Sequence, residues 1–356
     1  MKLPSLKIGN LTARIPIIQG GMGIGVTLSK LASAVANQGA IGVISGVQIG
    51  FKEPDFETNT KAANIRALIK EIRTAKKLSP KGILGVNIMT AAKEYEALVK
   101  TSVKEKIDLI ICGAGLPTSL PLLVKNSQTK IAPIVSSPKA AAIMTKLWTR
   151  KYDYMPDALI VEGPKAGGHL GFSKEDILSS SQPDLENIVE DVLKIIKPFE
   201  EKYNKTIPVI AAGGIYDGKD IAKFIKLGAS GVQMATRFVT THECDAHINF
   251  KNAYIQAKKE DIKIVTSPVG MPGRALNNTF IKNLGKNNLP IEKCYNCLKP
   301  CDPNKTPYCI SKALINAVNG NVDEALIFCG SNAYKLDKIV SVEELIKELV
   351  TEAEKC

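Results

Sequence analysis

The sequence is poor in the residues that several function classes need. Aromatic side chains make up only 5% of its 356 residues, with a single tryptophan, too few for a surface that stacks nucleobases. Lysine is spread along the chain with no dense basic run, so the net charge of +12 leaves no nucleic-acid footprint. That charge fits a lysine-rich surface, or anionic ligands such as a flavin phosphate or NADPH. No apolar run reaches the roughly 18 residues of a membrane span, and Met1-Lys2-Leu3-Pro4 leads straight into polar sequence without a signal peptide. A cytoplasmic protein with no membrane contact is expected. No segment completes G-x-G-x-x-G: after Gly21 and Gly23 the third position is Val26, which tells against a Rossmann dinucleotide site. Low-complexity tracts are lacking, as are repeats beyond a strand–helix alternation. Eight cysteines without a secretory signal point to reduced thiols or metal ligands rather than disulfides.

What is present is a large apolar fraction, 45% of the chain, and a length exceeding the roughly 250 residues of one barrel. Short apolar runs alternate with helical patterns through residue 258. The runs are Ile15–Gln19, Ile41–Ser45, Ile83–Met89, Asp108–Cys112, Ile131–Ser136, Ala158–Glu162, Ile207–Ala212 and Gly231–Met234. They are apolar nearly throughout, as strands buried on both faces should be. Between them, Leu185, Ile188, Val189, Val192, Leu193 and Ile196 mark one face of a helix, and Glu186, Glu190, Asp191 and Lys194 its solvated side. Eight alternations predict an α/β fold, a (β/α)8 TIM barrel over residues 1–258, with an open parallel sheet as the alternative. Residues 259–322, rich in Asn, Pro, Lys and Cys, read as a small cap domain. Residues 323–356 read as a helical segment packing on the barrel, with a helix over Val342–Lys355 capped by Ser341.

Three glycine-rich segments end predicted strands. Gln19-Gly20-Gly21-Met22-Gly23 would let a flat ligand approach the backbone, with Met22 as a soft apolar contact. Ala212-Gly213-Gly214 and Gln233-Met234-Ala235-Thr236 end the seventh and eighth strands, where barrels commonly hold a phosphate through backbone N–H groups. His169, one of three histidines, follows Gly167-Gly168 after the sixth strand. Its place on the catalytic face suits a side chain that moves a proton near neutral pH.

Together these segments resemble the nitronate monooxygenase (2-nitropropane dioxygenase) family, which includes the FMN-dependent enoyl-acyl-carrier-protein reductases. The resemblance spans nearly the whole chain. It rests on Ile17-Ile18-Gln19-Gly20-Gly21-Met22, Gly85-Val86-Asn87, Glu162 with Ala166-Gly167-Gly168-His169-Leu170-Gly171, Ala211-Ala212-Gly213-Gly214-Ile215, and Gly228-Ala229 with Gly231 to Phe238. It implies FMN in a capped barrel, with Gly21, Met22 and Asn87 near the flavin ring and Gly213, Gly214 and Gln233 to Thr236 around the phosphate. The cofactor-binding set it implies is completed by Gly23, Lys165, Gly167, Gly168 and Ala212, with His169 catalytic beside the reactive edge. Ala114-Gly115 is a weaker carry-over. Gln-Gly-Gly-Met in the first loop is closer to the reductase branch than the Ala-Pro-Met of many monooxygenases. Pro164-Lys165 stands where an acidic residue is common. His247 reads as structural, and Arg274 either as a cap residue near an anionic substrate or as a structural ion pair.

Two activities therefore stand side by side: oxidation of an anionic nitronate by oxygen to a carbonyl compound and nitrite, and NAD(P)H-dependent reduction of an enoyl thioester on acyl carrier protein, or of a quinone. A homodimer is possible for either. A third reading, a flavin and metal electron-transfer or redox-sensing protein, rests on Cys294, Cys297, Cys301 and Cys309, spaced C-x2-C-x3-C-x7-C. Four thiolates suit zinc or an iron–sulfur cluster, and the alternative is four free thiols. Cys112, Cys244, Cys329 and Cys356 are isolated and read as packing or surface residues.

Overall fold

A computed structural model of the chain describes residues 1–179, 183–284 and 289–356. Its centre is a closed barrel of eight parallel strands. A hairpin, β1 (Leu6–Ile8) and β2 (Leu11–Ala13), precedes the barrel strands β3 (Ile17–Gln19), β4 (Ile41–Ser45), β5 (Ile83–Met89), β6 (Leu109–Gly113), β7 (Lys130–Val135) and β8 (Leu159–Glu162). After the two-residue β9 (Gly168–His169), which lies outside the barrel, β10 (Val209–Ala212) and β11 (Gly231–Met234) close it against β8 and β3. All eight predicted runs are barrel strands. The first and seventh start two residues later than the apolar runs do, because Pro16 and Pro208 have no N–H for the ladder.

The strand–helix connections carry α1 (Ser29–Asn37), α2 (Thr60–Leu78), α3 (Tyr95–Lys104), α4 (Leu120–Leu123), α5 (Pro138–Tyr152), α6 (Lys174–Leu178), α7 (Leu185–Tyr203) and α8 (Gly218–Lys226). α7 buries Leu185, Ile188, Val189, Val192 and Ile196, the face its periodicity predicts. Strand alternation divides the core in two. Ile18, Ile41, Val43, Leu109, Ile111, Ala132, Ala158, Ile160, Ile210 and Ala212 pack inside the barrel, whereas Ile44, Val86, Ile110, Val161 and Val232 face the helices. Leu6, Ile8 and Ala13 of the hairpin join the inner cluster, so the hairpin plugs the amino end of the barrel.

The carboxyl end is covered by later chain. α9 (Thr236–Val239) and α10 (Ile248–Ile255) lead into the strands β12 (Ile262–Thr266) and β13 (Pro272–Leu276), then α11 (Thr279–Leu284), α12 (Ile310–Val318) and α13 (Val342–Lys355). β13 pairs antiparallel with β12 and with β9, placing Gly273 opposite His169 and Arg274 opposite Gly168. α13 starts at a capping box between Ser341 and Glu344. It packs on α8, where a Cβ on Gly218 would come within 2.5 Å of Leu349 O. Glu348 on α13 holds the buried Arg237 guanidinium at 2.7 Å. No helix among the described residues is long and apolar enough to cross a membrane.

Candidate active site

Above the packed interior, the last inward-facing layer of the barrel turns polar. Period two carries the inward face of β4 from Val43 to Ser45, of β8 from Ile160 to Glu162, and of β11 to Gln233. These side chains, with Asn87 of β5, floor a cavity of about 260 Å³ at the carboxyl ends of the strands. That is the end at which barrels of this class carry their sites.

Every sequence-predicted cofactor residue reaches this one cavity: Gly21, Met22, Gly23, Asn87, Lys165, Gly167, Gly168, Ala212, Gly213, Gly214, Gln233, Met234, Ala235 and Thr236 all line it, and so does His169. The glycines are there for space. Gly213 and Gly214 have φ of 93° and 91°, and a Cβ on them would stand 2.9 Å from Gly163 O and 2.8 Å from Lys165 Cβ. Only glycine adopts that left-handed backbone freely, and the resulting loop presents main chain to the cavity. On the neighbouring strand, Gln233 Oε1 is buried without a hydrogen-bond partner among the described residues, although buried polar atoms are nearly always satisfied. An orphaned acceptor beside a glycine loop, with the Thr236 hydroxyl and the Lys165 ammonium on the same wall, is a donor and acceptor set that fits a phosphorylated, hydrogen-bonding ligand such as FMN.

His169 sits on β9, clamped by β13. Its Nε2 lies 2.7 Å from Ser267 Oγ, and that oxygen accepts from Val269 N–H at 3.3 Å. The Phe328 ring meets it edge-on at 5.0 Å between centroids. Burial pulls its pKa down to about 4, so the imidazole is neutral at physiological pH. Glu162 behaves in the opposite sense: burial pushes its carboxyl up to about 7.

Several cavity residues carried no signal in the sequence reading. Cys329 and Gly330 line the wall, brought there by a strand-like return of the chain. Ile327 O accepts from Leu276 N–H, Cys329 N–H donates to Arg274 O, and Ser331 N–H to Lys165 O. Asn332 Nδ2 donates to Gly214 O at 2.7 Å, bracing the glycine loop from behind. Gly330 fits so tightly that a Cβ would stand 2.6 Å from Thr236 Oγ1. Nothing local in Ile327-Phe328-Cys329-Gly330 announces this role.

Other expectations need correction. Arg274 makes no ion pair among the described residues and does not line the cavity. It is buried and donates to the carbonyls of Pro164, at 2.8 Å, and of Ala166, pinning the His169 loop to the cap. His247 is structural, as expected: its Nδ1 accepts from Asn249 N–H at the start of α10. The structure does not assemble the metal centre expected from Cys294, Cys297, Cys301 and Cys309. Among the described residues no three His, Cys, Asp or Glu side chains are placed to hold a metal ion. The four thiols nevertheless lie near one another, since Cys309, Cys301 and Cys294 all act on the Cys297 thiol, with Cys297 on the cavity wall and Cys294 exposed. Burial pushes the Cys297 thiol up to about 11. Of the isolated cysteines, Cys112, Cys244 and Cys329 are buried and Cys356 is exposed.

The sequence profile of a family described as nitronate monooxygenase matches residues 5–352. A probable nitronate monooxygenase of Staphylococcus aureus (strain MSSA476) is 26% identical over 301 residues, 78% of this chain and 79% of the relative. Among solved structures, FabK from Thermotoga maritima superposes with a TM-score of 0.74 at 27% identity, covering 96% of this chain and 93% of that one. Nitroalkane oxidase from Streptomyces ansochromogenes gives a TM-score of 0.74 at 20% identity, with 96% of each chain covered, a likeness of fold.

Proposed function

Because the chain belongs to the nitronate monooxygenase family, and is thereby an oxidoreductase of FMN type, we propose that it oxidises alkyl nitronates with dioxygen to a carbonyl compound and nitrite. The observation that carries this reading is the neutral His169 in a cavity that, among the described residues, has Lys165 as its one lysine. An imidazole with a pKa of about 4 is a poor base for pulling a proton from a neutral nitroalkane, and a poor acid for protonating a product. It suits a substrate that arrives already deprotonated, which it can meet as a hydrogen-bond donor.

FMN, when bound, supplies the redox chemistry. The chain does the rest. Gly213, Gly214, Gln233 and Thr236 would hold the phosphate, and Gly21, Met22 and Asn87 would lie along the ring. Lys165 supplies positive charge for an anion. Ser267 and Phe328 fix the His169 ring; in the tautomer in which the Ser267 hydroxyl donates to Nε2, the single N–H is at Nδ1, and little reorganisation is needed when a nitronate oxygen accepts it. Val269, Leu298, Leu314 and Phe328 of the covering chain line the cavity and would shield the reacting face from water.

A second reading has its own support: the Gln19-Gly20-Gly21-Met22 loop and the 27% identity to FabK. Here NAD(P)H would be co-substrate, and an enoyl thioester on acyl carrier protein the acceptor. Anaerobic mixing of the yellow protein with a nitronate, NADH and NADPH in turn separates the two. Bleaching of the flavin by the nitronate alone is the expected result. Fast bleaching by a nicotinamide, with none by the nitronate, would replace the monooxygenase by the reductase.

A further inference from the structure

We propose that Cys294 and Cys309 form a thiol–disulfide switch, closed by reaction with a small-molecule disulfide, that holds α12 against the cavity. The proposal does not depend on which substrate the cavity takes.

Packing selects this pair from the four neighbouring thiols. The Tyr295 ring is buried and stacks on Phe56 at 5.4 Å between centroids. Cys309 packs into the same small cluster, so the residue next to Cys294 is held against Cys309. Cys297 and Cys301 pack into a different cluster, with Leu298 and Ile310. Cys294 also lies close enough to act on the Cys309 thiol through charge. A disulfide needs its two Cα atoms within about 7 Å. Residues 291–297 belong to no helix or strand, so Cys294 can close on Cys309 without breaking a ladder.

Surroundings divide the roles. Cys294 is exposed and meets a dissolved disulfide first. Cys309 is half-buried at the N-cap of α12. Burial raises its pKa, whereas the N–H groups of Lys312 and Ser311, bonded to its sulfur, and the nearby Lys312 ammonium pull the other way. Donors at a helix start favour a thiolate in this manner. Cys294, as thiolate, attacks a disulfide RSSR. A Cys294–SR bond forms, and RS⁻ leaves to take up the proton that Cys294 gave. Cys309 then attacks Cys294 Sγ, and the second RS⁻ leaves with the proton of Cys309. Two cysteine thiols are oxidised to one protein disulfide, and RSSR is reduced to two thiols. Cys297 stays out of the exchange, because burial keeps it a thiol up to about 11.

The consequence lies in where α12 runs. Its Ile310, Ser311, Leu314 and Ala317 line the cavity. The loop that carries Cys294 is anchored to the barrel at its far end: Lys93 N–H donates to Cys297 O at 3.1 Å, and Lys299 N–H to Ala91 O at 2.8 Å. A Cys294–Cys309 bond joins the start of α12 to this anchored loop. The helix can then no longer swing from the cavity without carrying the anchor with it.

The full chain, reduced and then incubated without oxygen with oxidised glutathione, tests the bond. Free thiols should fall from eight to six. Digestion without reductant should yield one new peptide joining Cys294 to Cys309, and dithiothreitol should reverse both changes. Cys294→Ser should lose no thiols under the same treatment, and Cys309→Ser should stop at a glutathione adduct on Cys294. A peptide joining Cys294 to Cys297 or Cys301 instead, or undiminished thiol loss in Cys294→Ser, would overturn the pair. Amide exchange reads the second half of the proposal. Residues 310–318 should exchange about tenfold more slowly in the bridged protein than in the reduced one, as closing a loop of this length predicts, while the barrel strands keep their rates. Equal exchange along α12 in bridged and reduced protein would leave the disulfide without the hold on the helix that we assign to it, and so overturn the switch.

Discussion

His169 is set up by burial to hydrogen-bond rather than to carry charge. Its imidazole is neutral above about pH 4. Its Nε2 is engaged with Ser267 Oγ at 2.7 Å, and Nδ1 has no hydrogen-bond partner among the described residues. On the proposed reading, removing the ring should therefore leave the flavin in place and take away a contact to the nitronate. We expect His169→Ala to keep FMN absorbance while kcat falls about 100- to 1,000-fold, the usual cost of losing one preorganised donor. Ser267→Ala should cost far less, roughly threefold to tenfold, because the Phe328 edge still restrains the ring. Steady-state kinetics on flavin-replete proteins check both. Wild-type turnover in His169→Ala would return this residue to a packing role.

At the level of elements, the structure depends on a tie between the cap and the sixth barrel loop. β13 pairs with β9 across two residues only, and Arg274 reinforces that short ladder by bonding the carbonyls of Pro164 and Ala166. Arg274→Met would leave two buried carbonyls unpaired, at a cost of about 2–4 kcal/mol. The expected signature is local: amide exchange speeds up over residues 164–169 while the barrel strands keep their protection. Uniform loss of protection would mean that Arg274 serves global stability instead. The same elements show what sequence reading reaches. Parallel strands are buried on both faces, so Ile41–Ser45 or Leu109–Gly113 stand out as unbroken apolar runs. The hairpin Leu6–Ala13 and the strand β9 were missed because β1, β2 and β9 have three residues or fewer, too short for any period to register. Arg274 was misread because its partners are backbone oxygens, which sequence does not display. Glu162 was legible as part of a motif but not as an inward-facing acid, since strand parity acquires a meaning only once the barrel closes. The cysteine spacing does bring the four thiols near one another, but no three such groups among the described residues are placed to hold a metal ion.

For the whole molecule, the cavity is assembled from chain segments far apart in sequence. Gly20 to Ile24 form one wall, Lys165 to His169 another, and Leu326 to Gly330 close it from the last tenth of the chain. A chain ending at Ala325 would still contain all eight barrel strands, yet it would lack the brace that Asn332 gives Gly214 and the Arg237–Glu348 pair. We expect such a truncated chain to be recovered colourless, with its absorbance spectrum lacking the flavin bands; a yellow product would show that the barrel loops suffice. This threading also puts cofactor loading on a timetable. A ribosome releases residue 330 only after all eight barrel strands, so until then a nascent chain, however much of its barrel has folded, has no finished pocket to offer. Flavin capture would consequently follow the folding of the barrel strands, and any shortage of the vitamin would be felt by folded barrels rather than by barrels still forming.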